Sequence, residues 1–201
     1  NLEEKINRKC GFCGGDLYVL ASYKYPPKGE TNFNLEPYWR RLLKCRQCGH
    51  SVNQHRFEFD TDFYSNLYSA STYKGQLRSR FQKIMSLPFD SSDNQQRFDF
   101  MSKFIIELNG STPSRCLDVG SGLGVFPALL KAAGWTCTAL EPDPIACNLI
   151  SELVGVETIN THFMNVKNIG LFDLITFNKV IEHVRNPVSF VKASKKLLPP
   201  R

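Results

Sequence analysis

The stretch RCLDVGSGLGVFPALLKAAG, from Arg115 to Gly134, decides the fold. Its opening run Cys116-Leu117-Asp118-Val119 has the length and composition of a buried parallel strand. Gly120, Gly122 and Gly124 then alternate with Ser121 and Leu123 in a GxGxG loop. An apolar helical segment follows, with Pro127 near its first turn and Gly134 just past its end. Strand, glycine turn and helix in that order let backbone amides approach a bound ligand closely. Taken alone, the loop also reads as an ordinary turn of an α/β domain, because one glycine motif discriminates weakly.

The next segment sharpens the reading. Residues 136–141, TCTALE, form a second strand ending on an acid, and Glu141 lies 21 residues after Gly120. An acid at that place accepts hydrogen bonds from ribose hydroxyls. The match is chemical: a carboxylate only accepts, and a vicinal diol offers two donors.

The loop is GxGxG, not the GxGxxG of dinucleotide binders. LDVGSGLG (117–124), ALEPD (139–143) and FDLITFNKVIEHVRNP (172–187) together resemble the S-adenosylmethionine-dependent methyltransferases of the Rossmann-like class. The resemblance runs from about residue 98 to the end, with the three motifs in the family's order. It implies a methionine half lying over Asp118, Gly120, Ser121, Gly122 and Gly124, and a ribose on Glu141. It also implies that adenine sits in the loop after the third strand (156–160), with Phe163 and Met164 as apolar walls and Asn165 as polar contact. Family members often carry aspartate in that loop; the plain alternative is a strand-end turn. The fourth strand (172–178) brings Asn178 to the methyl end of the cofactor. His183 follows as the candidate general base, or as half of a Glu182-His183 pair that shapes the loop.

The cysteines carry a second motif. Cys10-x2-Cys13 and Cys45-x2-Cys48 are separated by 31 residues, and each pair is followed by a glycine. Two such knuckles complete a tetrahedral four-thiolate site, which suits zinc. With four protein ligands the metal keeps no open position, so its role is structural. His50 and His55 are the nearby alternative ligands. Cys116, Cys137 and Cys147 read as small apolar core residues.

The 201 residues accommodate one medium and one small domain. The expected organisation is a zinc ribbon over 1–60, a helical connector or lid over 61–95, and an S-adenosylmethionine-binding core over 96–201. Within the ribbon, 16–23 reads as a strand, 39–44 as the lead into the second knuckle, and 55–60 as a further strand. In the connector, Phe63, Tyr64, Tyr68 and Tyr73 precede Leu77, Phe81 and Ile84 at helical spacing. Residues 88–94 read as a polar break. Phe98, Met101, Phe104, Ile105 and Leu108 mark a helix closed by Gly110, and Ile145, Leu149 and Leu153 mark another ended by Gly155. Val188, Val191 and Leu198 belong to a last helix. The fold class is therefore α/β, a Rossmann-like methyltransferase core with a small N-terminal ribbon. The family's fifth strand and terminal hairpin find no place in the sequence. Together with the missing initial methionine, this reads as a partial core and a fragment.

No apolar run reaches the ~18 residues of a membrane span, and no secretory signal precedes the first motif, so a cytoplasmic protein is expected. The formal net charge of +6 falls to about +4 once four thiolates and a divalent cation are counted. That is a weak signal for nucleic acid. The first expectation is methyl transfer to a small-molecule acceptor, such as a sugar nucleotide or surface-polysaccharide precursor. The second is an RNA methyltransferase that binds substrate through its ribbon, and the third a non-catalytic cofactor-binding protein. Oligomeric state is not legible.

Overall fold

The computed structural model describes residues 9–28, 38–55, 76–184 and 186–200. The chain divides into two compact units, Asn1–Asp60 and Thr61–Arg201.

In the first unit, β1 (Leu17–Tyr23), β2 (Arg40–Cys45) and β3 (Ser51–His55) form an antiparallel sheet in the order β1-β2-β3. The stretch expected only to lead into the second knuckle is thus the central strand. RRLLKC lacks a clean alternation, and its strand character comes from pairing on both sides, Leu43 opposite Val19 and Val52. The strand after that knuckle starts at Ser51 rather than His55, and 56–60 lie outside the described residues. The β1–β2 register slips between Val19 and Ala21, a bulge at Leu20. Among the described residues of this unit, only Cys10, Leu43 and Cys45 are buried.

The second unit is built on four parallel strands in the order β6-β5-β4-β7: β4 (Arg115–Val119), β5 (Thr136–Leu140), β6 (Glu157–Ile159) and β7 (Leu174–Thr176). The period of two along β4 explains its two faces. Cys116 packs with Phe126, Leu130, Trp135 and Cys137, while Leu117 and Val119 pack with Leu140, Phe163 and Phe172. Helices cover both faces, as an apolar parallel sheet requires. On the first face lie α2 (Asp93–Asn109), which inserts Phe98 and Met101, and α3 (Val125–Ala132). On the second, α5 (Pro187–Lys195) brings Phe190 and Ala193.

Helix α1 (Leu77–Met85) sets Phe81 against Ala139, Ile150 and Val154, and Arg78 pairs with Glu152. This described part of the expected connector packs on the core; the aromatic residues of 61–75 lie outside the described residues. Helix α2 begins inside the expected polar break, because the Ser92 hydroxyl caps it by accepting from Gln95 N–H at 3.3 Å. It ends as expected at Gly110, in the left-handed conformation. Helix α4 (Pro144–Leu153) corrects one expected face. Ile145 is 66% exposed, and Ala146, Cys147 and Ile150 are buried instead. Among the described residues no helix is long and apolar enough to cross a membrane.

Candidate active site and cysteine cluster

The glycine loop joins β4 to α3 at the carboxyl end of the sheet. Its conformation demands glycine at two places. A Cβ on Gly120 (φ 69°) would lie 2.5 Å from Val180 Cγ2, and one on Gly124 (φ 79°) would lie 2.8 Å from Ile150 Cγ1. Above Gly122 the space is open: a Cβ there would meet nothing within 4 Å. The loop is anchored where it leaves β4. Gly120 N–H donates to Leu140 C=O at 2.7 Å, and the Ser121 hydroxyl donates to Asp118 C=O at 2.9 Å.

Two buried carboxylates flank this loop. Asp118, 2% exposed, accepts from the Thr176 hydroxyl at 2.6 Å and from Asn178 Nδ2 at 3.4 Å, so it ties β4 to the end of β7. Glu141, 7% exposed, follows β5; its Oε2 accepts from Gly122 N–H at 2.7 Å and its Oε1 from Asp143 N–H at 3.0 Å. Each oxygen keeps acceptor capacity. Burial raises the proton affinity of Glu141, against the lowering effect of those two amides.

Burial likewise pushes Asp118 up to about 6, with Thr176, Ser121 and Asn178 opposing it. The unfolded value is about 3.9, so between pH ~4 and ~6 the folded chain holds more protons than the unfolded one. This contribution to stability is fully present below pH ~4 and is lost as pH rises through ~6, a change of about 2–3 kcal/mol. Asp118→Asn has no proton to lose. Urea unfolding of both proteins from pH 4 to 7 should show wild type losing ground to the variant by that amount. A difference that stays flat with pH would contradict the assignment.

Two further residues shape the site without having been legible as site residues. Asn160 Nδ2 donates to the carbonyls of Glu141 and Pro142, at 2.9 and 3.0 Å, and pins that turn. Asp143 caps α4 through Oδ1, accepting from Ile145 N–H at 2.8 Å, while its buried Oδ2 has no hydrogen-bond partner. Its signal in the sequence was the second acid of ALEPD, which reads equally well as a plain helix cap.

The loop after β6 separates its three expected residues. Phe163 is buried, its ring 5.2 Å from Phe177 and 5.3 Å from Phe190, so it belongs to the core. Met164 is half-exposed and Asn165 exposed. A pocket of about 580 Å³ opens at the end of β7, lined by Arg97, Phe100 and Met101 of α2, Phe126 of α3, and Thr176 and Asn178. His183 is exposed on a short 3-10 turn and lies outside that lining.

In the first unit the sulfurs of Cys10, Cys13, Cys45 and Cys48 all lie within 4.8 Å of one another. The two knuckles repeat each other. Gly14 N–H donates to Cys10 C=O and Gly49 N–H to Cys45 C=O, while the amides of Cys10 and Cys45 donate to Gly15 and His50. Gly14 and Gly49 both have φ 73°. The sulfur separations of 3.7 Å (Cys10–Cys48) and 3.5 Å (Cys13–Cys45) are close to the ~3.8 Å edge of a tetrahedron with 2.3 Å metal–sulfur bonds. The donor set therefore fits a soft divalent metal such as zinc. The amides of Cys48 and Gln47 aim at the Cys45 sulfur and hold its thiol down to about 6. At Cys48 the His50 amide also favours the thiolate. The Cys13 sulfur, burial and the Cys45 and Cys10 sulfurs outweigh it and push that thiol up to about 12. His50 meets Phe12 at a tilt, with ring centroids 4.3 Å apart, and His55 lies opposite Arg40 at the other end of β2. The cluster is the four sulfurs.

A parallel sheet carrying a glycine loop and two acids at its carboxyl end defines an S-adenosylmethionine-dependent methyltransferase fold, here joined to an N-terminal cysteine cluster able to bind a metal. Residues 94–201, over half of the chain, match the family described as "Methyltransferase domain", and the chain belongs to that family. Among curated proteins it is similar to the mitochondrial ubiquinone biosynthesis O-methyltransferase of Schizosaccharomyces pombe, 26% identical over 106 residues (49% of this chain, 39% of that protein). It is also similar to the ubiquinone biosynthesis O-methyltransferase of Actinobacillus pleuropneumoniae serotype 5b, 30% identical over 118 residues (53% and 49%). The chain spans about half the length of these relatives or less. Among solved structures it resembles the plantazolicin methyltransferase BpumL in complex with a pentazolic desmethylPZN analog and SAH. The TM-score is 0.53 and the identity 16%, over 69% of this chain and 55% of that one. BamL, in complex with a triazolic analog and SAH, gives 0.50 and 16%, over 66% and 52%. At these identities the likeness concerns the fold.

Proposed function

We propose that the chain transfers a methyl group from S-adenosylmethionine to a small-molecule acceptor. One observation carries the reading: buried Asp118 and Glu141 converge on a glycine loop that is open above Gly122, with a pocket beside it at the end of β7. When bound, S-adenosylmethionine supplies a methyl group on a sulfonium. Glu141 takes the ribose hydroxyls on its remaining acceptor sites. Asp118, Gly120, Ser121, Gly122, Gly124 and Asn178 take the methionine half. Met164 and Asn165 take the adenine, with Phe163 as support behind them. Alignment does most of the work in such a displacement. His183 serves as base only where the acceptor is a weak nucleophile.

In the same reading, Cys10, Cys13, Cys45 and Cys48 bind structural zinc in a ribbon over 1–60, followed by a connector over 61–95 and the core over 96–201. The thiolates call for a reducing compartment, and we assign the chain to the cytoplasm. A sugar nucleotide or polysaccharide precursor is the acceptor class proposed first. The names of the relatives, methyltransferases of ubiquinone biosynthesis and of plantazolicin, support a small acceptor.

A second reading, RNA as acceptor, is favoured by one feature of the first unit. Arg46 lies 4.6 Å over the Tyr18 ring and Arg40 4.7 Å over Tyr23, arginine–aromatic pairs of the kind on which bases stack, while Arg41, 5.2 Å over Trp39, belongs to the alternate face of β2. A tritiated-methyl transfer assay with total RNA and with a panel of sugar nucleotides decides between them. Label in the small molecules supports the first reading. Label in RNA alone, falling steeply with salt, reverses the order. Cofactor binding without transfer to any substrate supports a non-catalytic protein.

A further inference from the structure

The sheet of the first unit has two unlike faces. Residues directly opposite each other on paired strands share a face. Val19, Leu43 and Val52 therefore lie together on one, and Leu43 and Cys45 are buried there. The other face carries Tyr18 beside Lys44 at one end, Tyr23 beside Arg40 at the other, and Leu42 between them. None of these five side chains is buried, although β2 is the central strand. Arg46 follows Lys44 by two residues and is exposed, its guanidinium 4.6 Å over the Tyr18 ring; Arg40 lies 4.7 Å over Tyr23. The described residues of this unit hold seven lysines and arginines against one acid, Asp16, which pairs with Lys9 at 2.7 Å. In the sequence these cations and rings are scattered; strand pairing collects them.

We propose that this face binds single-stranded RNA, with one base on the Arg46–Tyr18 pair, another on the Arg40–Tyr23 pair, and phosphate on Lys44. A guanidinium lying on a ring is a planar cation, and a base stacks on it. The two pairs stand four residues apart on β2, about 13 Å at the rise of a strand. One base cannot touch both, so the occupant is a strand and not a mononucleotide. A duplex hides its base faces and cannot use the pairs. Ser51 and Asn53, opposite Lys44 and Leu42 and both exposed, offer a hydroxyl and an amide to the 2′-hydroxyl that separates RNA from DNA. The proposal takes its partner from the second reading above and holds whether or not that RNA is the methyl acceptor.

Fluorescence anisotropy of a labelled octauridylate with the full chain is the test. Wild type is expected to bind it more tightly than octathymidylate or a duplex of the same length. Affinity should fall with salt, with a logarithmic slope of about −2 for three phosphates. Arg46→Lys keeps the charge and loses the plane. It is expected to weaken binding about three- to tenfold with the salt slope unchanged. Tyr23→Leu should weaken it about five- to thirtyfold, and Tyr23→Phe hardly at all. Lys44→Gln should make the slope shallower by about 0.7, a change that a merely structural role does not produce. Metal content and protease resistance of residues 9–55 confirm that each variant is folded. Failure of wild type to bind, equal binding of the duplex or octathymidylate, or full competition by a uridine diphosphate sugar overturns the proposal. So does unchanged affinity in both Arg46→Lys and Tyr23→Leu. S-adenosylhomocysteine titrated alongside tests the methyl-transfer reading separately, and its failure leaves the RNA result standing. RNA binding without label transfer upholds this surface and removes RNA as acceptor.

Discussion

Cys45→Ala is expected to abolish the fold of the first unit and its metal together. The three strands there have almost nothing else to hold them: Leu43 is the one buried aliphatic side chain among the described residues of this unit, and the other two buried there, Cys10 and Cys45, belong to the cluster. A sheet with so little apolar burial cannot offset the conformational entropy of its own ordering. In the proposed reading a bound metal supplies the difference, because a site absent from the unfolded chain converts binding free energy into folding free energy. Metal analysis of wild type should give about one zinc per chain. A strong chelator, or acid sufficient to protonate the thiolates, should release the metal and expose residues 9–55 to protease. Cys45→Ala should show the same cleavage without chelator. Purified protein without metal and equally resistant to protease, or a disulfide between Cys10 and Cys13, would refute the assignment.

Glu141→Ala is expected to weaken S-adenosylhomocysteine binding by about 2–3 kcal/mol, roughly 30- to 150-fold. In the proposed reading the side chain has two jobs. It offers acceptor sites to a ribose diol, and it shapes the place the diol enters by holding Gly122 N–H and Asp143 N–H at 2.7 and 3.0 Å. Alanine removes both and leaves the amides without their acceptor. Glu141→Gln is the sharper comparison. It conserves shape but turns one acceptor oxygen into a donor, facing an N–H whichever way the amide is placed. Glutamine should therefore be nearly as damaging as alanine, an outcome that size alone does not produce. Calorimetry with the unfolding midpoint of each variant as control is the measurement. Unchanged affinity in both variants, or tight binding of a nicotinamide dinucleotide by wild type, would overturn the cofactor assignment.

What was legible in the chain, and what was not, divides by the range of the interactions concerned. The glycine loop, the acid after the second strand and the paired knuckles are local features. Their chemistry lies within a few residues: Gly14 and Gly49 take the same left-handed turn because each follows a Cys-x2-Cys. The run 116–119 declares a buried strand because its faces are packed by helices on both sides, and so it is apolar nearly throughout. The Arg40–Cys45 strand did not declare itself, since its strand character comes from neighbours at 17–23 and 51–55. The exposure of Ile145 was likewise hidden, because periodicity gives a helix an apolar stripe and packing chooses which part of it meets the sheet.

By itself the sequence determined the class of fold, the donor set of the cysteine cluster and the acids nearest the glycine loop, all through short-range spacing and the chemistry of residue types. Only the tertiary structure decided how those parts are joined. The Thr176 hydroxyl and Asp118, 58 residues apart, become a 2.6 Å hydrogen bond because β7 pairs directly beside β4. Val180 closes on Gly120, the Phe163 ring turns into the core, and Lys179 pairs with Asp93. Each of these depends on strand order and helix placement, which are set by the burial of whole faces and leave no mark at the individual residues they bring together.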